Sequence, residues 1–342
     1  MSGRTHIFKA AALTGIAALA LTACGDSGSG GGGEEGDPYK IGITQIVSHP
    51  SLDAAREGFK SAFDEEGIDV EWDEQNAQGE QATASNIAGT FANDNKDLVL
   101  AIATPTAQAA AQAIQDKPII FTAVTDPVEA GLVDSWEEPG GNVTGTSDMN
   151  PVKEQLELLK ELDPNVQTVG IVYSSGEANS QVQVDMAKEA ASELDLEIQE
   201  ATVTNSSEVQ QGLQSLNVDA IYVPTDNVVV SALETVIQYG EENQLPILAA
   251  EGDSVTRGAV ATYGIDYEAL GKQAGEMAIR VLRDGEDPAT MPVEQQTELQ
   301  LYINPEAAAA QGVEIPQEVR DRADVVVGED VEAQDPAEAG DQ

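Results

Sequence analysis

The sequence predicts two doubly wound α/β lobes joined by a hinge of several crossings. Three observations carry that prediction. Short apolar runs alternate with helical patterns almost throughout, the order of a parallel sheet covered by helices. Aromatic residues make up only 4% of the 342 residues, and the apolar content rests mainly on Ala, Val, Leu and Ile, which suits strands buried on both faces. The pattern of one half then restarts in the other. DLVLAIATPTAQAAAQAI from Asp97 and DAIYVPTDNVVVSALETV from Asp219 both run strand, polar turn, helix, and each leads to a proline-initiated strand, KPIIFTAVTDPVEAG and LPILAAEGDSVTRG. Each half is thus Rossmann-like in its βαβ order.

In the first half, Tyr39–Ile46 reads as a strand and Ser51–Glu66 as an amphipathic helix with Leu52, Ala55, Phe59 and Phe63 on one face. Val70–Asp73 is a short strand, Gln81–Asn93 a helix, Leu98–Ala103 a strand, Thr106–Gln115 a helix and Pro118–Val124 a strand. In the second half the helices are Pro151–Leu162, Asn179–Leu194, Ser206–Leu216 and Val228–Asn243. The strands there are Val166–Tyr173, Leu196–Val203, Asp219–Val223, Pro246–Ala250 and Ala259–Gly264. A long helix, Tyr267–Arg283, and a strand, Glu298–Ile303, are left over, so the chain must cross back. Crossings near Gly145–Asp148, Gly264–Asp266 and Met291–Gln296 make a hinge, and a hinge between two lobes makes a cleft. Lobe 1 is expected over residues 38–146 with a returning segment at about 267–290, and lobe 2 over 147–262 with about 297–325. The acidic tail, 328–342, has little apolar content and is expected to be disordered.

The amino terminus has a different character. Arg4 and Lys9 precede an apolar stretch, Ala10 to Ala23, that is too short to span a bilayer, the pattern of a secretory signal peptide over residues 1–23. The single cysteine, Cys24, stands at the border between that stretch and a Gly/Ser tract, so residues 24–37 read as a flexible tether. Leu21-Thr22-Ala23-Cys24 resembles a bacterial lipobox, which implies lipidation of the Cys24 thiol and cleavage before it. No Arg-Arg pair is present, which favours the general secretion route. A body anchored in this way has no free thiol or disulfide and depends on a packed core.

Composition and motifs narrow the function. The formal charge of −45 repels nucleic acid, and no basic patch offsets it. It describes a solvated acidic surface, and one suited to high salt. The chain has two histidines, and His6 falls in the signal. With no GxSxG, HExxH or Walker A pattern, no catalytic set, metal site or cofactor is expected, and His49 reads as a loop or capping residue.

Ligands of open parallel sheets bind beyond the carboxyl ends of the strands. The residues there are Thr44-Gln45 with Ser48-His49, Thr104-Pro105-Thr106, Thr125-Asp126-Pro127, Ser174-Ser175 with Glu177 to Ser180, Thr225-Asp226-Asn227 and Glu251-Gly252-Asp253. Singly, each is an ordinary helix cap. As a set they line one cleft. Helix N-termini hold carboxylates, the role expected of Thr104–Thr106 and Asn179-Ser180, while Asp226 is expected to pair with an ammonium. A solute bearing both charges is an amino acid. On this reading Asp226→Ala weakens binding and leaves the melting point nearly unchanged.

The segments GITQIVSHPSLDAAREGF, ATPTAQAA, FTAVTDPVEAGLV, NVTGTSD, YSSGEANS, VPTDN and YGIDYEALGKQAG occur in order between Tyr39 and about Val313. Together they resemble the substrate-binding lipoproteins of ABC importers, in the branch of the tryptophan/tyrosine-type binding proteins. That resemblance implies a type I periplasmic-binding fold, a monomer tethered by lipid to the extracytoplasmic face of the membrane, and delivery of a small solute to an ABC permease with its ATPase. It implies ligand-facing roles for Gln45, Thr104, Thr106, Asp126, Ser147, Asn179, Ser180, Asp226 and Glu251. Trp72 and Trp136 lie in none of these turns, so stacking on an aromatic solute would need Tyr173, Phe121 or another residue. A sugar or nucleoside receptor is the alternative ligand class, against which the few aromatics weigh. A sensing lipoprotein that feeds a signalling partner is a second alternative, which a neighbouring permease gene would separate.

Overall fold

The computed structural model describes residues 37–328. The signal and lipobox segments, Cys24, all of the tether but Asp37, and the tail beyond Gly328 lie outside that range. The first half runs β1 (Tyr39–Gln45), α1 (Pro50–Glu65), β2 (Val70–Asn76), α2 (Gln81–Asn93), β3 (Leu98–Ile102), α3 (Thr104–Ala113), β4 (Ile119–Val124) and β5 (Val143–Ser147). The second half runs α4 (Val152–Leu162), β6 (Thr168–Ser174), α5 (Ala178–Glu193), β7 (Glu197–Val203), α6 (Val209–Gln214), β8 (Ala220–Val223), α7 (Asn227–Ser231), α8 (Leu233–Asn243), β9 (Ile247–Ala249), α9 (Gly252–Thr256) and β10 (Ala261–Gly264). The chain then returns through α10 (Tyr267–Ile279), β11 (Glu294–Gln295), β12 (Gln300–Ile303), α11 (Pro305–Ala310), α12 (Gln317–Asp321) and β13 (Val325–Val326). Among the described residues no helix is long and apolar enough to cross a membrane.

Two sheets result. One has the order β11-β5-β4-β3-β1-β2 and is parallel throughout. The other has the order β13-β12-β10-β9-β8-β6-β7, and only β10 and β12 pair antiparallel. The strand order reverses between β1 and β3 in the first and between β6 and β8 in the second. Those switch points open the crevices in which α/β sheets bind ligands. The chain passes between the sheets at residues 148–151, 265–266 and 296–299.

The predicted α/β class is the observed one, and the elements differ where packing overrides pattern. Strand β5, VTGTS, lacks an apolar run because its neighbours demand small residues. A Cβ on Gly145 would lie 2.0 Å from the Phe121 carbonyl oxygen. The helix expected over Val228–Asn243 breaks at Ala232, with φ −112° and ψ 22°. The break leaves Val229 and Val230 of α7 and Leu233, Val236 and Ile237 of α8 packed on the same core cluster. The helix expected over Ser206–Leu216 divides into a 3₁₀ turn, Ser206–Glu208, and α6. The short elements β11, α9, α11, α12 and β13 carry too few residues to show a period.

Helix α10 matters most for the architecture. Leu270, Ala274, Met277 and Ala278 join Ile41, Phe59, Phe63 and Leu100 in a single core cluster. The two helices touch backbone to backbone: a Cβ on Gly58 would lie 1.9 Å from the Glu268 carbonyl oxygen, and one on Gly271 would lie 1.9 Å from that of Ala55. Trp72 meets Phe63 edge-on at 5.4 Å on this face of the first sheet, and Trp136 packs on the other.

Candidate functional site

The carboxyl ends of β1 and β4 face those of β6, β8 and β9 across a small, partly open cavity of about 20 Å³, room for about one water. His49, Leu52 and Ala123 line it from the first sheet and α1, Asp148 and Tyr267 from the crossings. Asn179, Thr225, Asp226, Asn227, Val230 and Glu251 line it from the second sheet. The loops touch across the gap. Thr125 Oγ1 and Thr225 Oγ1 are 3.1 Å apart, and the Ser51 hydroxyl, at the start of α1, donates to Glu251 beyond β9. Ala123 holds φ 55° and Ala103 φ 79°, left-handed values that non-glycine residues keep only where the surroundings fix them.

The carboxylates dominate the electrostatics. Asp226 caps α7 by accepting from Val229 N at 2.8 Å, and its other oxygen accepts from Ser174 N and the Ser180 hydroxyl, both at 2.6 Å. Glu177 Oε2 accepts from Asn227 N at 3.1 Å, Asn227 Nδ2 at 2.6 Å and Asn179 Nδ2 at 3.0 Å. Burial, then the neighbouring Asp226 charge, raises the pKa of Glu177, and burial raises that of Asp226. Asp148 accepts from Thr125 Oγ1 at 2.9 Å and from the Tyr267 hydroxyl at 2.8 Å, and burial raises it too. Glu251 accepts from the hydroxyls of Ser51 and Ser254, and is pushed up to about 7 by burial and then by Asp253. The Arg257 guanidinium bonds Glu234 at 2.9 Å and Val230 O at 3.0 Å through Nη2, while its Nη1 is buried without a hydrogen-bond partner among the described residues. His49 is held down at about 4 by burial and then by Arg257, so its ring is neutral at ordinary pH. The cavity is therefore poor in positive charge and suited to a cationic group.

Of the residues expected to face a ligand, Asn179, Asp226 and Glu251 line the cavity, and Ser180 ties Asp226 in place from behind. Thr104 is buried at the start of α3, and its hydroxyl has no hydrogen-bond partner among the described residues. The rest turn to other tasks. Gln45 bonds Val47 O and Asp53 Oδ1, both at 2.8 Å, and borders a separate surface groove. The Thr106 hydroxyl folds back onto the end of β3, 2.6 Å from Ile102 O. Asp126 closes its own turn by accepting from Val128 N and Glu129 N, each at 3.0 Å. Ser147 shapes the first crossing, donating to Thr125 O at 2.7 Å.

Two role assignments change. The Asn179-Ser180 turn, expected to receive a carboxylate, is flanked by the buried acids Glu177 and Asp226, which reverses the charge it favours. Asp226 is a knot of three buried hydrogen bonds, so Asp226→Ala cannot leave the melting point nearly unchanged. Tyr173 and Phe121 belong to core clusters, and Tyr267 is the aromatic residue that reaches the cavity. Sequence reasoning missed Tyr267 and Asp148 as lining residues, although Asp148 stands at a crossing it had placed and Tyr267 directly follows one.

The family model for ABC transporter substrate binding proteins matches residues 40–327. A tyrosine-binding protein of Clostridioides difficile is 47% identical over 276 residues, 79% of this chain and 80% of the relative. Among solved structures, an ABC domain from Streptococcus pneumoniae in complex with L-Trp is 38% identical, with a TM-score of 0.82 over 85% of this chain and 100% of its own. A ligand-free, open substrate-binding protein with adhesive properties from Clostridium difficile is 45% identical over 84% of this chain and 99% of its own, yet its TM-score is 0.64. The more identical protein superposes less well, so the two sheets stand here closer to the Trp-bound arrangement than to the open one.

Proposed function

The chain belongs to the ABC transporter substrate-binding protein family, and from that premise we propose that it captures an aromatic L-α-amino acid between its two sheets and presents it to the permease of an extracytoplasmic import system. The observation that carries the ligand class is the convergence of buried carboxylates with Leu52, Ala123, Val230 and Tyr267 on one cavity. Acids without a cation of their own call for an ammonium, and the apolar and aromatic wall suits an uncharged side chain. The hydroxyl of Thr104 and the free N–H groups of the first turn of α3 are the receptor for the ligand carboxylate. The relatives that bind tyrosine and tryptophan support the aromatic side chain. A cavity of about 20 Å³ does not admit such a guest, so loading requires the sheets to part about the crossings and close again.

We further propose that Cys24 carries the lipid that holds the protein at the membrane. A thermal-shift and calorimetric screen of residues 37–328 against amino acids, sugars and nucleosides tests the ligand class. L-Tyrosine or L-tryptophan should raise the melting point; a response confined to sugars or nucleosides refutes the reading. Fractionation of cells expressing Cys24→Ala tests the anchor, since the variant should leave the membrane fraction.

A further inference from the structure

Glu177 and Asp226 lie 49 residues apart in sequence but belong to one buried network. Asn227 follows Asp226 and donates to Glu177 through both its backbone and its side chain, and Ser180, on the same turn as Glu177, donates to Asp226. Among the described residues no Lys or Arg hydrogen-bonds either carboxylate. With no cation beside them, each carboxylate charge raises the cost of the other in a medium that solvates neither, which favours one proton kept on the pair.

A second observation points at a ligand. Asn179 is 3% exposed and lines the cavity. Both hydrogens of its amide are taken, by Glu177 Oε2 at 3.0 Å and Thr225 O at 2.7 Å. That fixes the amide's orientation and leaves Oδ1, buried, as an acceptor with no partner among the described residues. An acceptor of this kind calls for a donor, and the ammonium of an amino acid supplies one.

We propose that Asn179 Oδ1 receives the ammonium of the ligand, and that the arriving charge expels to solvent one proton held by the Glu177–Asp226 pair. The inference rests on the amino-acid reading above and adds a stoichiometry to it. The proton leaves the carboxyl pair for the buffer, no bond to carbon changes, and the ammonium supplies the positive charge the proton had supplied. The pair's raised pKa agrees with a proton held at neutral pH. The other groups that face this corner do not duplicate the role. His49 is neutral there, Asp148 is tied to Tyr267, and Glu251 to two serines, while Arg257 pairs with Glu234.

The test is calorimetric titration of the protein with L-tyrosine in two buffers of different ionisation enthalpy, such as phosphate and Tris, at about pH 7. The wild type should release close to one proton per ligand bound, and its affinity should rise by up to tenfold per unit between about pH 6 and about pH 7. Glu177→Gln should lose the release and the slope. Binding of tyrosine by the wild type with no proton exchanged overturns this inference alone, and so does release that persists in Glu177→Gln. Failure of both tyrosine and tryptophan to bind overturns the amino-acid reading and this inference with it. The wild-type proton count stands whether or not the variants fold.

Discussion

Removing the Ser51 hydroxyl should open the protein. Ser51 starts α1 beside the first sheet, and Glu251 lies beyond β9 in the second, so their hydrogen bond exists only when the two are drawn together. Above about pH 7, where Glu251 is ionised, a hydrogen bond to its charged group contributes about 1.5–3 kcal/mol. Ser254 also donates to Glu251 and comes from the same side of the gap, so it keeps the carboxylate partly satisfied in the variant and the lower end of that range applies. About 1.5 kcal/mol is roughly a tenfold change in an equilibrium constant. If the ligand binds the closed form, its apparent affinity falls by the fraction of closed molecules lost. Ser51→Ala should therefore weaken L-tyrosine or L-tryptophan binding in calorimetry by up to about tenfold, and the radius of gyration of the free protein should grow in small-angle scattering. An affinity within twofold of the wild type, with unchanged scattering, would refute the latch.

Other expectations concern stability. Glu251 keeps its proton up to about 7 in the folded protein against 4.5 in a free side chain, and Glu177 is raised in the same direction, so above pH 4.5 the native state holds protons that the unfolded chain gives up. His49, lowered from 6.5 to about 4, opposes them, but only below its unfolded value. From pH 6.5 to about pH 8 the carboxylates act alone and stability should fall, read as a declining melting point; a rise across that window contradicts the assignment. Gly271→Ala drives a methyl to 1.9 Å from the Ala55 carbonyl oxygen, and overpacking of about 1–3 kcal/mol should lower the melting point by several degrees; a shift under one degree would show that the helices separate freely. Asp226→Ala abolishes three buried hydrogen bonds and should shift the urea midpoint downward by the equivalent of about 3 kcal/mol, well beyond the effect of Ser180→Ala, which removes one.

The alternation of strands and helices was legible because fully buried parallel strands such as LVLAI and AIYV are apolar without interruption. Gln81–Asn93 even begins and ends where its pattern does. What stayed hidden depended on contacts between distant segments. VTGTS looks like a loop until Phe121 is placed beside Gly145. For the site, the rule that ligands lie beyond strand ends selected turns that meet at the cavity but not the direction of each side chain. Thr106 and Asp126 satisfy their own backbone, and Gln45 turns to Asp53, choices made by local hydrogen bonding that residue type does not reveal. Asp148 and Tyr267 find each other only because two crossings run side by side.

The glycine-to-backbone contact between α1 and α10 bears on how the molecule is made. Phe59 and Phe63 are buried with Met277 and Ala278, more than two hundred residues later in the chain. A chain emerging from its amino end therefore exposes half of an oily surface until nearly all of it has been synthesised, and the opening portion cannot finish as a separate folding unit. Cutting the gene after Ser147 would yield an aggregating fragment, whereas a circular permutant beginning near Asp266 would bring the two partner helices together early in synthesis.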